Sequence, residues 1–149
     1  MTDDLGPVSK ECVEGYIFAD PPLELLLFRR PPSRGRYWVP VSGKVEPTDR
    51  DFRSALCREL EEETGLRVGS AELVDLDWRV PFRADNGEVW RLHAFAVRVP
   101  RSFRPRLSPE HEEAEWVPVE EAERRLHFED NRAAVERVRR LRARDDLSH

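Results

Sequence analysis

A chain of 149 residues is long enough for one ordinary domain with a hydrophobic core that needs no staples. Charged residues make up 37% and apolar residues 39%, so the surface is heavily charged, while clusters of Leu, Val and aromatics exclude global disorder. Twenty-five Lys and Arg against 30 Asp and Glu leave a formal charge of −5, which argues against a general nucleic-acid binder but not against a small anion held by a few arginines and a metal.

Cys12 and Cys57 are the only cysteines, too few for a disulfide framework or a tetrahedral zinc site. Met1-Thr2-Asp3-Asp4 is acidic rather than signal-like, and no apolar run reaches transmembrane length. The expected compartment is the cytoplasm, without a membrane partner. Along the chain, residues 11–18 and 23–29 are predicted as strands around the turn signal Asp20-Pro21-Pro22. Residues 31–35 are a predicted loop, 37–39 a short aromatic strand, and 42–50 a loop broken by Gly43 and Pro47. Residues 51–64 are a predicted helix, with Asp51 as N-cap and Gly65 in the place of a C′ glycine. Strands follow at 71–80, 88–99 and 114–117, the first two joined by the hairpin signal Asp85-Asn86-Gly87. Pro118 opens a helix through 126, and a last helix covers roughly 130–143, with a basic tail over 142–149 expected to fray. This order predicts one domain over residues 1–149, a mixed sheet between helices rather than a doubly wound fold.

The helix at 51–64 carries the informative anomaly. At about 100° per residue, Phe52, Ala55, Leu56 and Leu60 form an apolar stripe that also contains Glu59 and Glu63, with Glu62 at its border and Glu61 opposite. An acidic run is ordinarily a solvated helix face. Carboxylates on the apolar side instead need cations to offset their burial, either a neighbouring Arg58 or a divalent metal suited to hard oxygen ligands.

Gly43-Lys-Val-Glu-Pro-Thr-Asp49 followed by Arg58-Glu59-Leu60-Glu61-Glu62-Glu63-Thr64-Gly65-Leu66 resembles the Nudix box, G-x5-E-x7-R-E-U-x-E-E-x-G-U, over about residues 43–66. The second half matches at every specified position. The first half departs: Asp49 replaces Glu, and eight residues rather than seven separate it from Arg58, so a strict count lands on Arg50. The resemblance implies an α/β/α sandwich, an α/β (α+β) fold, and hydrolysis of a nucleoside diphosphate linked to a further group, by water attack on phosphorus with Mg²⁺ or Mn²⁺. It implies metal ligation by Glu62, Glu63 and the Ser42 carbonyl. Glu59 would be a ligand or the base, Arg58 would hold Glu59, and Gly43 would permit a close loop. Pro109-Glu-His-Glu-Glu-Ala-Glu-Trp116 resembles the E-H-x-x-x-x-W stretch of dihydroneopterin triphosphate pyrophosphatases and diadenosine tetraphosphate hydrolases, which points to Glu110 as a further catalytic and metal-binding residue ahead of Glu112 and Glu113.

The expected substrate is therefore nucleotide-like: a nucleoside or pterin triphosphate, or a dinucleoside polyphosphate. Arg29, Arg30 and Lys44 are candidates to grip phosphate. Trp38, with Tyr37, Trp90 and Phe128, is a candidate to stack a ring, core packing being the plainer role for each. His93, alternating with Trp90 and Phe95, reads as a satisfied core or pocket histidine, and His111 is unassigned. A non-catalytic nucleotide-binding module on the same fold and an RNA-associated role for the basic tail are the competing readings; a homodimer is left open.

Overall fold

The computed structural model describes residues 5–147; the acidic residues 1–4 and the last two residues of the basic tail lie outside the described residues. Strand β1 (Lys10–Ala19) runs through the middle of the sheet. Its alternation sends Val13 and Ile17 to one face and Tyr16 and Phe18 to the other, all buried, so both faces of the sheet must be covered. Along one side β1 runs parallel to β6 (Val89–Arg98). Along the other its first half pairs antiparallel with β4 (Val41–Lys44) and its end with β2 (Glu24–Arg29). Strand β2 also carries β3 (Trp38–Val39) and β7 (Glu113–Pro118), and β5 (Val74–Arg83) lies beyond β6.

Helix α1 (Phe52–Thr64) packs Ala55, Leu56 and Leu60 on the face of Val13 and Ile17. Helices α2 (Val119–Arg125) and α3 (Glu129–Leu147) cover the other face with Ala122, Ala134, Val135 and Val138. The result is an α/β/α sandwich with a mixed sheet, the architecture expected from the sequence. Both ends of α1 form as expected: the Asp51 carboxylate accepts from the Ser54 N–H at 2.7 Å, and Gly65, at φ 78°, donates to the Glu61 carbonyl at 2.9 Å.

Three boundaries differ from the sequence reading. Residues 41–44 are a strand rather than a loop, because Val41 and Gly43 find partners in Gly15 and Val13 of β1. Strand β5 starts at Val74 because Ser70–Glu72 form a 3-10 turn, held by the Glu72 carboxylate accepting from the Gly69 N–H at 2.7 Å. A bulge between Asp75 and Trp78 then breaks its alternation. Helix α3 continues to Leu147, past both the end at 143 and the start of fraying at 142 that the tail suggested.

Candidate active site

Helical spacing on α1 buries Glu59 and Glu63, at 8% and 6% exposure, while Glu61 faces solvent. Glu62 stays exposed at the rim, so the acidic face is two buried carboxylates and one at the edge. Arg58 is the hub that offsets their charge. One of its terminal nitrogens, Nη1, donates to Glu59 at 2.9 Å and to Glu62 at 3.2 Å. Its Nε and Nη2 form a fork on the Asp49 carboxylate at 3.0 and 2.8 Å, and Nη2 also reaches the Lys44 carbonyl at 3.1 Å. Asp49 thus meets Arg58 despite its shorter side chain and the additional intervening residue. The Arg58 guanidinium holds the Asp49 carboxyl below its usual range.

Strand β4 closes on the same carboxylate. A Cβ on Gly43 would stand 2.2 Å from the Glu59 carboxyl carbon, so any side chain there must displace Glu59. Burial pushes the Glu59 carboxyl up to about 7, with Glu62 and Glu63 adding repulsion and Arg58 opposing. Glu63 is raised too, by burial and then by the charge of Glu110. The Ser108 hydroxyl donates to Glu63 at 2.5 Å and accepts from the Glu110 N–H at 3.2 Å, which turns the 108–111 loop toward α1. His111 packs at a tilt on Phe28, with Nδ1 3.6 Å from the Glu63 carboxylate. Burial, with the charges of Arg30 and Arg34, brings it down to about 4, so it is neutral at pH 7. Glu112 and Glu113 turn away and pair with Arg29 at 3.0 and 2.7 Å.

As they stand, no three His, Cys, Asp or Glu side chains among the described residues converge on a common ion position. Arg58 lies between Glu59 and Glu62. The donor chemistry nevertheless fits a hard divalent cation. Glu59, Glu62, Glu63 and Glu110 are all oxygen donors, and two of them are buried against mutual repulsion that a cation would relieve.

Of the residues proposed to meet substrate, Arg29 is engaged by Glu112 and Glu113. Arg30 is half-buried over Phe128, at 5.6 Å. Trp38 packs against the core and carries the guanidiniums of Arg29 and Arg125 at 5.7 and 5.2 Å. Lys44 lies 4.6 Å over Trp90, whose ring meets Phe82 edge-on. Tyr37 stacks on His127 at 3.7 Å and meets Phe128 edge-on; Tyr37 and Phe128 are 36% and 40% exposed. His93 is buried, stacked on Phe52, with Nε2 2.8 Å from Glu11.

The NUDIX domain model matches residues 15–138, which include the whole of α1 and the loop of Glu110. The chain is a Nudix domain. An octanoyltransferase of Myxococcus xanthus is 42% identical over 121 residues, 79% of this chain but only 33% of that protein, so the chain spans a third of that relative's length. The asymmetrical bis(5'-nucleosyl)-tetraphosphatase of Sus scrofa is 29% identical over 106 residues, covering 67% of this chain and 68% of its own. The dihydroneopterin triphosphate pyrophosphohydrolase of E. coli superposes with a TM-score of 0.74 at 22% identity, covering 87% of this chain and 96% of its own.

Sequence reasoning missed a second polar group in this Nudix domain. Glu14, opposite Ser42 in the β1–β4 register, is buried and accepts from Tyr16 and, at 3.1 Å, from Asn131 at the start of α3. The one available signal was a charge inside the apolar run 11–18. Burial pushes the Glu14 carboxyl up to about 7. An unfolded Glu titrates near 4.5, so the folded chain keeps this proton while the unfolded chain loses it, and the contribution to stability falls as pH rises from about 4.5 to 7. Glu14→Gln is expected to remove that slope, a difference on the order of 2 kcal/mol between pH 4.5 and 8. Urea unfolding at several pH values measures it; parallel wild-type and variant curves would contradict the assignment.

Proposed function

We propose that the protein hydrolyses a phosphoanhydride in a nucleoside or pterin triphosphate, or in a dinucleoside polyphosphate, with Mg²⁺ or Mn²⁺. The observation that carries this is Glu59: a buried carboxyl, raised to about 7, held by Arg58 and flanked by Glu62 and Glu63. A base with that value accepts a proton readily near neutral pH. Glu62, Glu63, Glu110 and the Ser42 carbonyl would hold the ion, which when bound neutralises phosphate oxygens and lowers the pKa of water. Glu59 takes the proton of the attacking water. Arg58 keeps Glu59 in place, Arg30 meets phosphate, and the exposed faces of Tyr37 and Phe128 receive the ring.

The names of the Sus scrofa and E. coli relatives point to the same substrates. Octanoyl transfer is not carried over: the chain covers a third of that relative, and burial pushes the Cys12 thiol up to about 11, leaving a poor nucleophile. The fork of Arg58 on Asp49 supports the catalytic reading over a non-catalytic module, since Asp49 still meets Arg58 despite the additional residue. No helix among the described residues is long and apolar enough to cross a membrane.

The test is turnover, with product analysis, on dihydroneopterin triphosphate, ordinary and oxidised nucleoside triphosphates, diadenosine polyphosphates, nucleotide sugars and dinucleotide cofactors. Mg²⁺- or Mn²⁺-dependent cleavage of a triphosphate or dinucleoside polyphosphate is expected. Metal-independent release, or none from any member, would overturn the reading.

A further inference from the structure

At the end of the sheet away from the α1 carboxylates, Ala19, Asp20, Arg98, Val99, Pro100 and Arg101 line an open cleft of about 310 Å³, at the lower edge of the range for small-molecule sites. Strand β1 sets the separation. Ala19 comes five positions after Glu14, the partner of Ser42, which is roughly 16 Å along an extended strand. Strand β2 runs the same course, with Glu24 at the cleft end and Arg29 at the end of Glu112 and Glu113. The chain concentrates cations here: from Arg98 to Pro109 it carries four arginines and no acidic residue, in a protein of formal charge −5.

Both cleft arginines are held in the same way. Arg98 places Nε 2.8 Å from Asp20 Oδ1, and its Nη2 donates to the Asp20 carbonyl at 3.2 Å. Arg101 donates from Nε to the Glu24 carboxylate and from Nη2 to the Pro22 carbonyl, each at 2.5 Å. Each guanidinium therefore turns its side-on edge to the segment 20–24. Among the described residues, neither Nη1 has a hydrogen bond or an ion pair. The end-on edge of each, Nη1 with the second hydrogen of Nη2, is left for a ligand.

The local carboxylates do not close the cleft to an anion. The Asp20 side chain is only 9% exposed and is also met by Arg142 Nε at 2.6 Å. Arg98, Arg101 and Arg142 thus face two carboxylates, Asp20 and Glu24, a local excess of one positive charge. Arg104 adds another. It is exposed beside the turn that the Phe103 N–H closes on the Pro100 carbonyl, and among the described residues it donates only to the carbonyls of Arg101 and Phe103.

We infer that this cleft is a second anion site, separate from the α1 carboxylates, for a small molecule that carries a terminal phosphate. One guanidinium edge matches the two oxygens of a carboxylate, whereas the three terminal oxygens of a phosphate can accept from two edges at once. Ala19 and Val99, both buried, give the body of the ligand an apolar floor. The inference is independent of the hydrolysis proposed above.

The experiment is NMR titration of the ¹⁵N-labelled, metal-free protein with inorganic phosphate at constant ionic strength. Saturable shifts are expected at the amides of Ala19, Asp20, Arg98, Val99 and Arg101. Arg98→Lys and Arg101→Lys keep the charge but remove the planar edge, and each is expected to weaken binding roughly tenfold. Arg104→Ala disturbs neither the Asp20 nor the Glu24 pair, so it decides the matter if a lysine variant loses its fold; roughly threefold weakening is expected. Arg83→Ala, at the opposite end of the β5–β6 hairpin, should leave binding unchanged. Shifts that fail to saturate, that persist undiminished in the folded variants, or that gather around Arg30 and Glu59 instead would overturn the site. Acetate binding as tightly as phosphate would overturn the choice of phosphate.

Discussion

Glu59→Gln lowers kcat by about 10³-fold, the middle of the range for removing a positioned base, and leaves the fold intact. Gln fills the same space, and its amide oxygen can still accept from Arg58 Nη1, which reaches Glu59 at 2.9 Å. The variant is also expected to be at least as stable as wild type in metal-free buffer at pH 8. The folded carboxyl titrates near 7, above its ordinary 4.5, so both states are protonated below 4.5 and only the unfolded state ionises readily between 4.5 and 7. The wild type therefore loses this contribution across that window as pH rises, and Gln has none to lose. Stopped-flow or steady-state turnover, with Tm at pH 5 and pH 8, measures both effects. Normal turnover would remove Glu59 from the chemistry. Lost turnover with a collapsed Tm would show a structural role only.

Arg58→Ala should be the most damaging single truncation for both stability and rate. It removes the fork on Asp49, the bonds to Glu59 and Glu62 and the tie to the Lys44 carbonyl, leaving the Glu59 carboxylate buried without its cation. Breaking such a partly buried pair costs on the order of 2–4 kcal/mol. A misplaced base should reduce kcat by about 10²-fold. Arg58→Lys restores the charge but not the planar fork, so recovery should be partial and larger in stability than in kcat. Urea unfolding beside steady-state kinetics decides it: an Arg58→Ala protein as stable and as active as wild type would show that the hub holds nothing.

The box on α1 was legible because chemistry and periodicity coincide there. Glu59 and Glu63 fall on the stripe of Ala55, Leu56 and Leu60 by helical spacing, and Asp51 and Gly65 mark the ends of the helix. Strand β4 was not legible, because four residues interrupted by Gly43 carry no pattern until β1 lies beside them. Phosphate-gripping arginines could be shortlisted by position near the loop, but Arg29 and Arg30 are adjacent and chemically identical in sequence. Their neighbours separate them: Glu112 and Glu113 fold back onto Arg29, and Arg30 is left over Phe128. Ser108 carried no signal that distinguished it from loop residues elsewhere in the chain, and Glu14 only that of a charge inside an apolar run.

Element order, the capped acidic helix and the carboxylate set follow from spacing along the chain, because a helix face and its caps are local geometry. The contacts that make a site of them were settled by folding. Asp49 reaches Arg58 across an inserted residue, Gly43 meets Glu59 across two elements, and Arg29 takes two carboxylates while Arg30 settles over Phe128. Each of these depends on which side chains meet between distant segments, and a charge is satisfied or stranded only once its neighbours have arrived.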